Sequence, residues 1–187
     1  MGFIVGVDEV GRGSWAGPLL VVAAAAKAKL PDGLADSKIL TKLKRHSLYN
    51  ILKDCCDFGE GWVQPEEIDA HGLSKAMRLG VSRALKAVGA DYQTEIIIDG
   101  NVNYCPAKFA RARYVIRADN LHPIVSAASI YAKVMRDTYM AQIARLYPNY
   151  HFEKHVGYGT ALHLNSLKIH GLSPIHRRSY KPVRAFL

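Results

Sequence analysis

The stretch Val7-Asp8-Glu9-Val10-Gly11-Arg12-Gly13 closes the apolar run Phe3-Ile4-Val5-Gly6-Val7. An apolar strand seldom carries an acid unless that acid is paired, hydrogen-bonded or bound to a metal. Here two acids stand together, with two glycines and an arginine directly behind them. Carboxylates that can hold Mg²⁺, beside bare backbone and a guanidinium able to approach a phosphate, point to phosphodiester chemistry.

Both the opening run, residues 3–8, and the run over 19–27 are apolar at successive positions, as in strands covered on both faces. Asp36-Ser37-Lys38 reads as a polar turn, after which Leu40, Leu43, Leu48, Ile51 and Leu52 outline a loosely amphipathic helix. Residues 58–64 read as a short strand. Pro65 then opens a helical region whose apolar positions, Leu73, Ala76, Met77, Gly80, Val81, Ala84, Leu85 and Val88, keep the i, i+3, i+4, i+7 period. Glu95–Asp99 is a strand that ends in an acid, and Tyr114–Asp119 repeats the arrangement. A long helix is expected from Pro123 to Leu146, with proline suited to its first turn and Pro148 ending it. A shorter helix over Thr160–Ile169 lies in a final segment rich in His, Tyr, Lys and Arg. Strands first, then alternating helix and strand, give an α/β domain with a mixed sheet. At 187 residues the chain fits one integrated unit, with a core over 1–147 and a helical and loop region over 148–187 packed on it.

Composition narrows the partners. Twenty-five Lys and Arg against sixteen Asp and Glu leave a formal charge of +9, which favours a polyanion, and nucleic acid before membrane. The longest apolar run, Leu19 to Ala26, is too short to span a bilayer, and no signal peptide is visible. Three cysteines, two of them adjacent at Cys55-Cys56, form neither a disulfide framework nor a spaced zinc motif. A cytoplasmic, reduced monomer is expected.

Asp8, Asp99 and Asp119 each close an apolar strand-like run. Ligands gather beyond strand ends in open α/β sheets, so these acids can converge. Converging carboxylates repel and need cations, and oxygen-only ligands suit Mg²⁺ or Mn²⁺ rather than zinc. Two such ions about 4 Å apart activate water and stabilise the leaving oxygen of an in-line displacement. A single such Asp would read as a turn former; three of them with Glu9 in a basic protein favour a metal site. Side chains alternate along a strand, so Asp8 and Glu9 reach one site only if the strand bends or bulges at Glu9, or if Glu9 contributes its carbonyl. Gly11 to Ala16 also fits the relaxed dinucleotide pattern G-x-G-x-x-A. That fingerprint needs a helix where Gly17-Pro18 and an apolar run follow, and Asp8 and Glu9 would repel a pyrophosphate.

Seven blocks in order, VDEVGRGSWAGP (7–18), ADSKIL (35–40), IIIDG (96–100), RADN (117–120), SAASIYAKVMRD (126–137), GYGT (157–160) and HGLSPIHRRSYKPV (170–183), resemble the ribonuclease HII family over nearly the whole chain. The resemblance implies a ribonuclease H-like mixed sheet flanked by helices, with a small helical C-terminal region. It implies Mg²⁺- or Mn²⁺-dependent cleavage of RNA in RNA–DNA hybrids and 5′ of ribonucleotides embedded in DNA, leaving 3′-hydroxyl and 5′-phosphate ends. It assigns the catalytic, metal-binding acids to Asp8, Glu9, Asp99 and Asp119. It assigns ribose 2′-hydroxyl and phosphate contacts to Gly11, Arg12 and Gly13, junction-sugar packing to Tyr158, and backbone contacts to Lys38 and Lys133. Trp15 and Val156 depart from the family's usual smaller aliphatic and lysine. Arg12 and the immediate start at the first strand argue against the sister family, ribonuclease HIII.

Other residues carry plainer readings. Asp137 reads as an ion-pair partner of Arg136. His151 and His155 fall in a loop rather than a zinc site, and His170 and His176 read as hydrogen-bonding residues. Arg177, Arg178, Tyr180, Lys181 and Arg184 either track a phosphate backbone or form a basic surface tail. Val183–Leu187 is too short to show a sliding-clamp motif. Two rival functions remain: a duplex-binding module without catalysis, and a deoxyribonuclease or resolvase that cuts all-DNA substrate as well.

Overall fold

A computed structural model describes residues 4–34 and 40–187, so the Asp36-Ser37-Lys38 turn, including Lys38, lies outside the described residues. Five strands form one mixed sheet: β1 (Ile4–Val10), β2 (Leu19–Ala26), β3 (Cys56–Val63), β4 (Glu95–Asp99) and β5 (Ala112–Val115), in the order β3-β2-β1-β4-β5. β1, β2 and β3 are antiparallel neighbours, whereas β4 and β5 join in parallel. Alternation divides the apolar side chains between two layers. Val5, Val7, Val21, Ile96 and Ile98 face α3 (Leu73–Ala87), while Leu20, Val22, Ala24 and Ile97 face α1 (Lys42–Cys55) and α5 (Pro123–Leu146). Gly6 lets α5 onto the sheet: a Cβ there would stand 2.5 Å from the Ile124 carbonyl carbon.

The expected elements form, with local differences. The region opened by Pro65 divides at Gly72 into α2 (Pro65–His71) and α3, the Gly72 amide closing α2 on the Ile68 carbonyl. On α1 only Leu48 and Leu52 are fully buried, and Leu43 is exposed. Asp119 does not close a strand. β5 stops at Val115, Arg117 turns left-handed at φ 57°, and Asp119 lies in the short helix α4 (Ala118–Leu121). The turn is fastened by the Asp99 carboxylate, which accepts the Ala118 amide at 2.7 Å.

Beyond α5, a 3₁₀ turn (Pro148–Tyr150), α6 (Phe152–His155), α7 (Ala161–His170) and α8 (Lys181–Arg184) make up the C-terminal region. Its apolar side chains, Tyr150, Phe152 and Leu167, form a third cluster with Ala16, Met140 and Ala144. Asp137 pairs with Lys133 at 2.8 Å rather than with Arg136, because i, i+4 side chains share a helix face and adjacent ones do not. Arg177 is fully buried, not part of a surface tail.

Candidate active site

β1 carries the acids past the end of its pairing with β4. The β1–β4 ladder ends at Val7↔Ile98, while the β1–β2 register runs unbroken through Asp8↔Val22, Glu9↔Val21 and Val10↔Leu20. No bulge is needed. Asp8 lies on the α5 side and Glu9 on the other, and both border one cleft of about 390 Å³ at the strand's free end. Gly11, Arg12 and Gly13 form one wall; Ser129, Lys133 and Tyr158 form the other. The site thus brings together Asp8, Glu9, the Gly-Arg-Gly segment, Lys133 and Tyr158. Asp99 and Asp119 do not line the cleft.

Asp99 nonetheless acts on Asp8. Burial, then the charge of Glu9 and, more weakly, that of Asp99, push the Asp8 carboxyl up to about 8. Hydrogen bonds from the Ser129 hydroxyl and the Glu9 amide, the latter at 2.7 Å, oppose that shift. A carboxyl so placed ionises fully only when a cation compensates it. Arg12 lies 3.7 Å from Glu9 and is exposed, and Lys133 is engaged by Asp137, so neither neutralises Asp8. Asp119 is buried on α4, its carboxylate 3.3 Å from the Asn120 amide and its carbonyl bound by the Ser126 hydroxyl. Among the described residues no three His, Cys, Asp or Glu side chains cluster tightly enough to enclose a metal ion unaided. An open set of carboxylates around one charge-starved Asp8 suits Mg²⁺, which keeps several waters and binds through one or two carboxylates together with substrate phosphates.

Two buried arginines brace the walls. Arg136 donates to the carbonyls of Pro18, Val156 and Ala16 at 2.8, 2.9 and 3.2 Å. Arg177 donates to Gly17 and Arg12 carbonyls at 2.9 and 3.1 Å and to the Tyr180 hydroxyl. Neither has an ion-pair partner among the described residues. Burial pulls Arg136 down to about 10, with the Arg177 charge adding to it, so it stays cationic at neutral pH. Gly11 has φ 86°, and a Cβ there would meet Arg136 Nε at 2.2 Å. Glycine is therefore required twice, by backbone conformation and by the arginine beneath it.

Sequence reading missed Ser129 and gave Arg136 and Arg177 other roles. Ser129 was legible in principle, one helical turn before Lys133 on the same face of α5. The arginines were not: nothing in sequence spacing distinguishes a guanidinium folded onto carbonyls more than a hundred residues away from one facing solvent.

Residues 5–183 match the family model described as Ribonuclease HII. The chain is 41% identical over 186 residues to Ribonuclease HII of Marinomonas sp. (strain MWYL1), covering 98% of this chain and 92% of that protein. It is 42% identical over 186 residues to Ribonuclease HII of Acidovorax sp. (strain JS42), covering 97% and 87% respectively. The crystal structure of ribonuclease H2 from Pyrococcus horikoshii OT3 superposes with a TM-score of 0.75 at 27% identity, covering 98% of this chain and 96% of that one.

Proposed function

The chain belongs to the ribonuclease HII family, and from that premise we propose that it is a cytoplasmic, monomeric endoribonuclease that cuts RNA in RNA–DNA hybrids and 5′ of ribonucleotides embedded in DNA. The products carry 3′-hydroxyl and 5′-phosphate ends, as ribonucleotide excision repair requires. The observation that carries this reading is the shared cleft in which Asp8 and Glu9 face Gly11, Arg12, Gly13 and Tyr158.

Asp8, Glu9, Asp99 and Asp119 are the residues that would hold Mg²⁺ or Mn²⁺, two ions in the reacting complex, which supply a water nucleophile at neutral pH and charge stabilisation of the leaving oxygen. Asp99 also fixes the chain direction toward Asp119 through the Ala118 amide. Gly11–Gly13 bring backbone close to the ribose, whose 2′-hydroxyl distinguishes RNA from DNA. Arg12 stays exposed, 3.5 Å from the Tyr104 hydroxyl, and is free to swing onto a phosphate. Tyr158 presents its ring to the neighbouring sugar, Lys133 stands beside it for the strand backbone, and Lys38 is assigned a backbone contact too.

The test is cleavage of a labelled DNA duplex bearing one ribonucleotide, beside an all-DNA duplex and a long hybrid, with Mg²⁺, with Mn²⁺ and with EDTA. Metal-dependent cutting on the 5′ side of the ribose, absent from the all-DNA duplex, is expected. Equal cutting of ribose-containing and all-DNA duplexes would overturn the reading in favour of a deoxyribonuclease.

A further inference from the structure

Behind the Tyr158 wall lies a buried group of imidazoles that the proposed reaction leaves unused. His155, His163 and His176 are 6%, 0% and 1% exposed. Hydrogen-bond polarity assigns their protons. The Tyr158 carbonyl only accepts, so His163 Nδ1, 3.0 Å away, carries a proton. The Ser173 amide only donates, so His176 Nδ1, 2.9 Å away and 2.8 Å from the Ser173 hydroxyl, accepts there in preference to donating to the more distant Ser173 carbonyl at 3.3 Å, and carries no proton. A neutral His176 is therefore protonated at Nε2 and donates to Nε2 of His163 at 2.9 Å. From the Ser173 amide to the Tyr158 carbonyl every donor meets an acceptor. His155 stacks on His163 with centroids 4.5 Å apart, donates to the Tyr150 carbonyl at 2.9 Å and accepts the Gly157 amide at 3.3 Å.

The same residues tie the two walls of the cleft together. The Gly157 carbonyl accepts the Trp15 and Ala16 amides at 2.8 and 3.3 Å, and the Trp15 ring rests 5.5 Å from His163. On the other side Ala16 forms a β-bridge with His176, and the Trp15 carbonyl accepts the Arg177 amide at 2.8 Å. Segments 11–17, 157–163 and 173–177 thus close a ring, in which the His163–His176 bond joins the second segment to the third. The turn it holds is strained: Val156, β-branched, has φ 44°, a conformation that persists only where its surroundings over-determine it. Apolar side chains would fill this volume without desolvating three imidazoles. What the imidazoles add is direction, delivered to the backbone of Tyr158 and Gly157.

We propose that His163 and His176 are positioning residues that hold the Tyr158 wall in register with the Gly11–Gly13 wall, so that both read the same ribonucleotide. The inference rests on the ribose-reading function above and goes further, by naming what sets the spacing of the two walls.

Fluorescence anisotropy in EDTA, with a labelled duplex containing one ribonucleotide and its all-DNA counterpart, measures discrimination without cleavage. The wild type is expected to favour the ribose-containing duplex. His163→Leu loses about tenfold of that preference, the worth of one well-placed hydrogen bond. His163→Asn, whose amide can still donate to the Tyr158 carbonyl, keeps most of it. Combined with Tyr158→Ala, His163→Leu causes no further loss, because the pair acts through Tyr158. His176→Asn breaks the link from its other end but leaves the His163–Tyr158 bond in place, so it is expected to lose a smaller part of the preference, as His163→Asn does, and it stands in if the leucine variant does not fold. Unchanged discrimination in the His163 and His176 variants overturns the proposal. So does a loss that the asparagine fails to restore and that adds to that of Tyr158→Ala. A wild type that binds both duplexes equally overturns the ribose reading itself, and the positioning role with it.

Discussion

The Arg136 guanidinium stands 5.7 Å from the centroid of the Tyr158 ring, while its N–H groups reach three backbone carbonyls. Arg136 thus supports the floor beneath Gly11 and the back of Tyr158 at once. Arg136→Met is expected to leave buried carbonyls unpaired and to cost about 3 kcal/mol, read as a shift in the urea midpoint at unchanged slope.

Gly11 and Gly13 make opposite predictions. Gly11→Ala meets Arg136 and adopts a disfavoured φ, so its melting temperature should fall, by the equivalent of about 2 kcal/mol. At Gly13 a Cβ has nothing within 4 Å. Gly13→Ala should therefore melt like the wild type and lose activity only through crowding of the bound strand, seen as a raised KM. A large drop in melting temperature for Gly13→Ala would count against this division of labour.

Asp8→Asn replaces a buried carboxyl whose ionised form burial, Glu9 and Asp99 all oppose. The metal-free variant should be at least as stable as the wild type, by up to about 1 kcal/mol, since an amide is buried without the protonation that the carboxyl must undergo on folding. Cleavage should fall by about a hundredfold or more, as when a principal electrostatic group is removed from an active site. Calorimetry in EDTA and single-turnover cleavage in Mg²⁺ check the two halves separately.

Acid sensitivity should trace to the C-terminal imidazoles. Burial lowers His163 and His176 from 6.5 to about 4, with the repulsion of a neighbouring imidazole reinforcing the shift. The unfolded chain then binds more protons than the folded one between those values. Their contribution is fully present above pH 6.5 and is lost as pH falls through 4. Urea midpoints should decline over that window, by the equivalent of roughly 3 kcal/mol for one such group. His163→Asn should flatten the decline, and an identical slope in that variant would locate the sensitivity elsewhere.

Strands and the long helix were legible because each obeys a single local rule. Glu95–Asp99 is an apolar run between polar ends, and Pro123 and Pro148 bracket α5. Asp119 escaped because its helix exists through a non-local bond, Asp99 to the Ala118 amide, and a left-handed Arg117 that no periodicity encodes. Asp8, Glu9, Gly11–Gly13, Lys133 and Tyr158 could be named from sequence and lie around one cavity, whereas Asp99 and Asp119 stand outside its lining. How Asp8 and Glu9 share it could not, since that depends on where β4 stops. Arg136 was read as the partner of Asp137 for the same reason: sequence adjacency is visible, burial against distant carbonyls is not.

The wall at Gly11–Gly13 is finished by residues more than 160 positions further along. Arg177 and Tyr180 bind the Arg12 carbonyl, and Arg177 also takes those of Gly17 and, through its amide, Trp15. A growing chain displays Asp8 and Glu9 as soon as its first strand is made, yet these contacts cannot form until Tyr180 has cleared the ribosome. Such long-range closure comes late in folding. The nascent protein therefore carries its acids without a completed cleft until more than 160 further residues have been made, and a chain broken off before position 177 would hold the chemistry but not the grip.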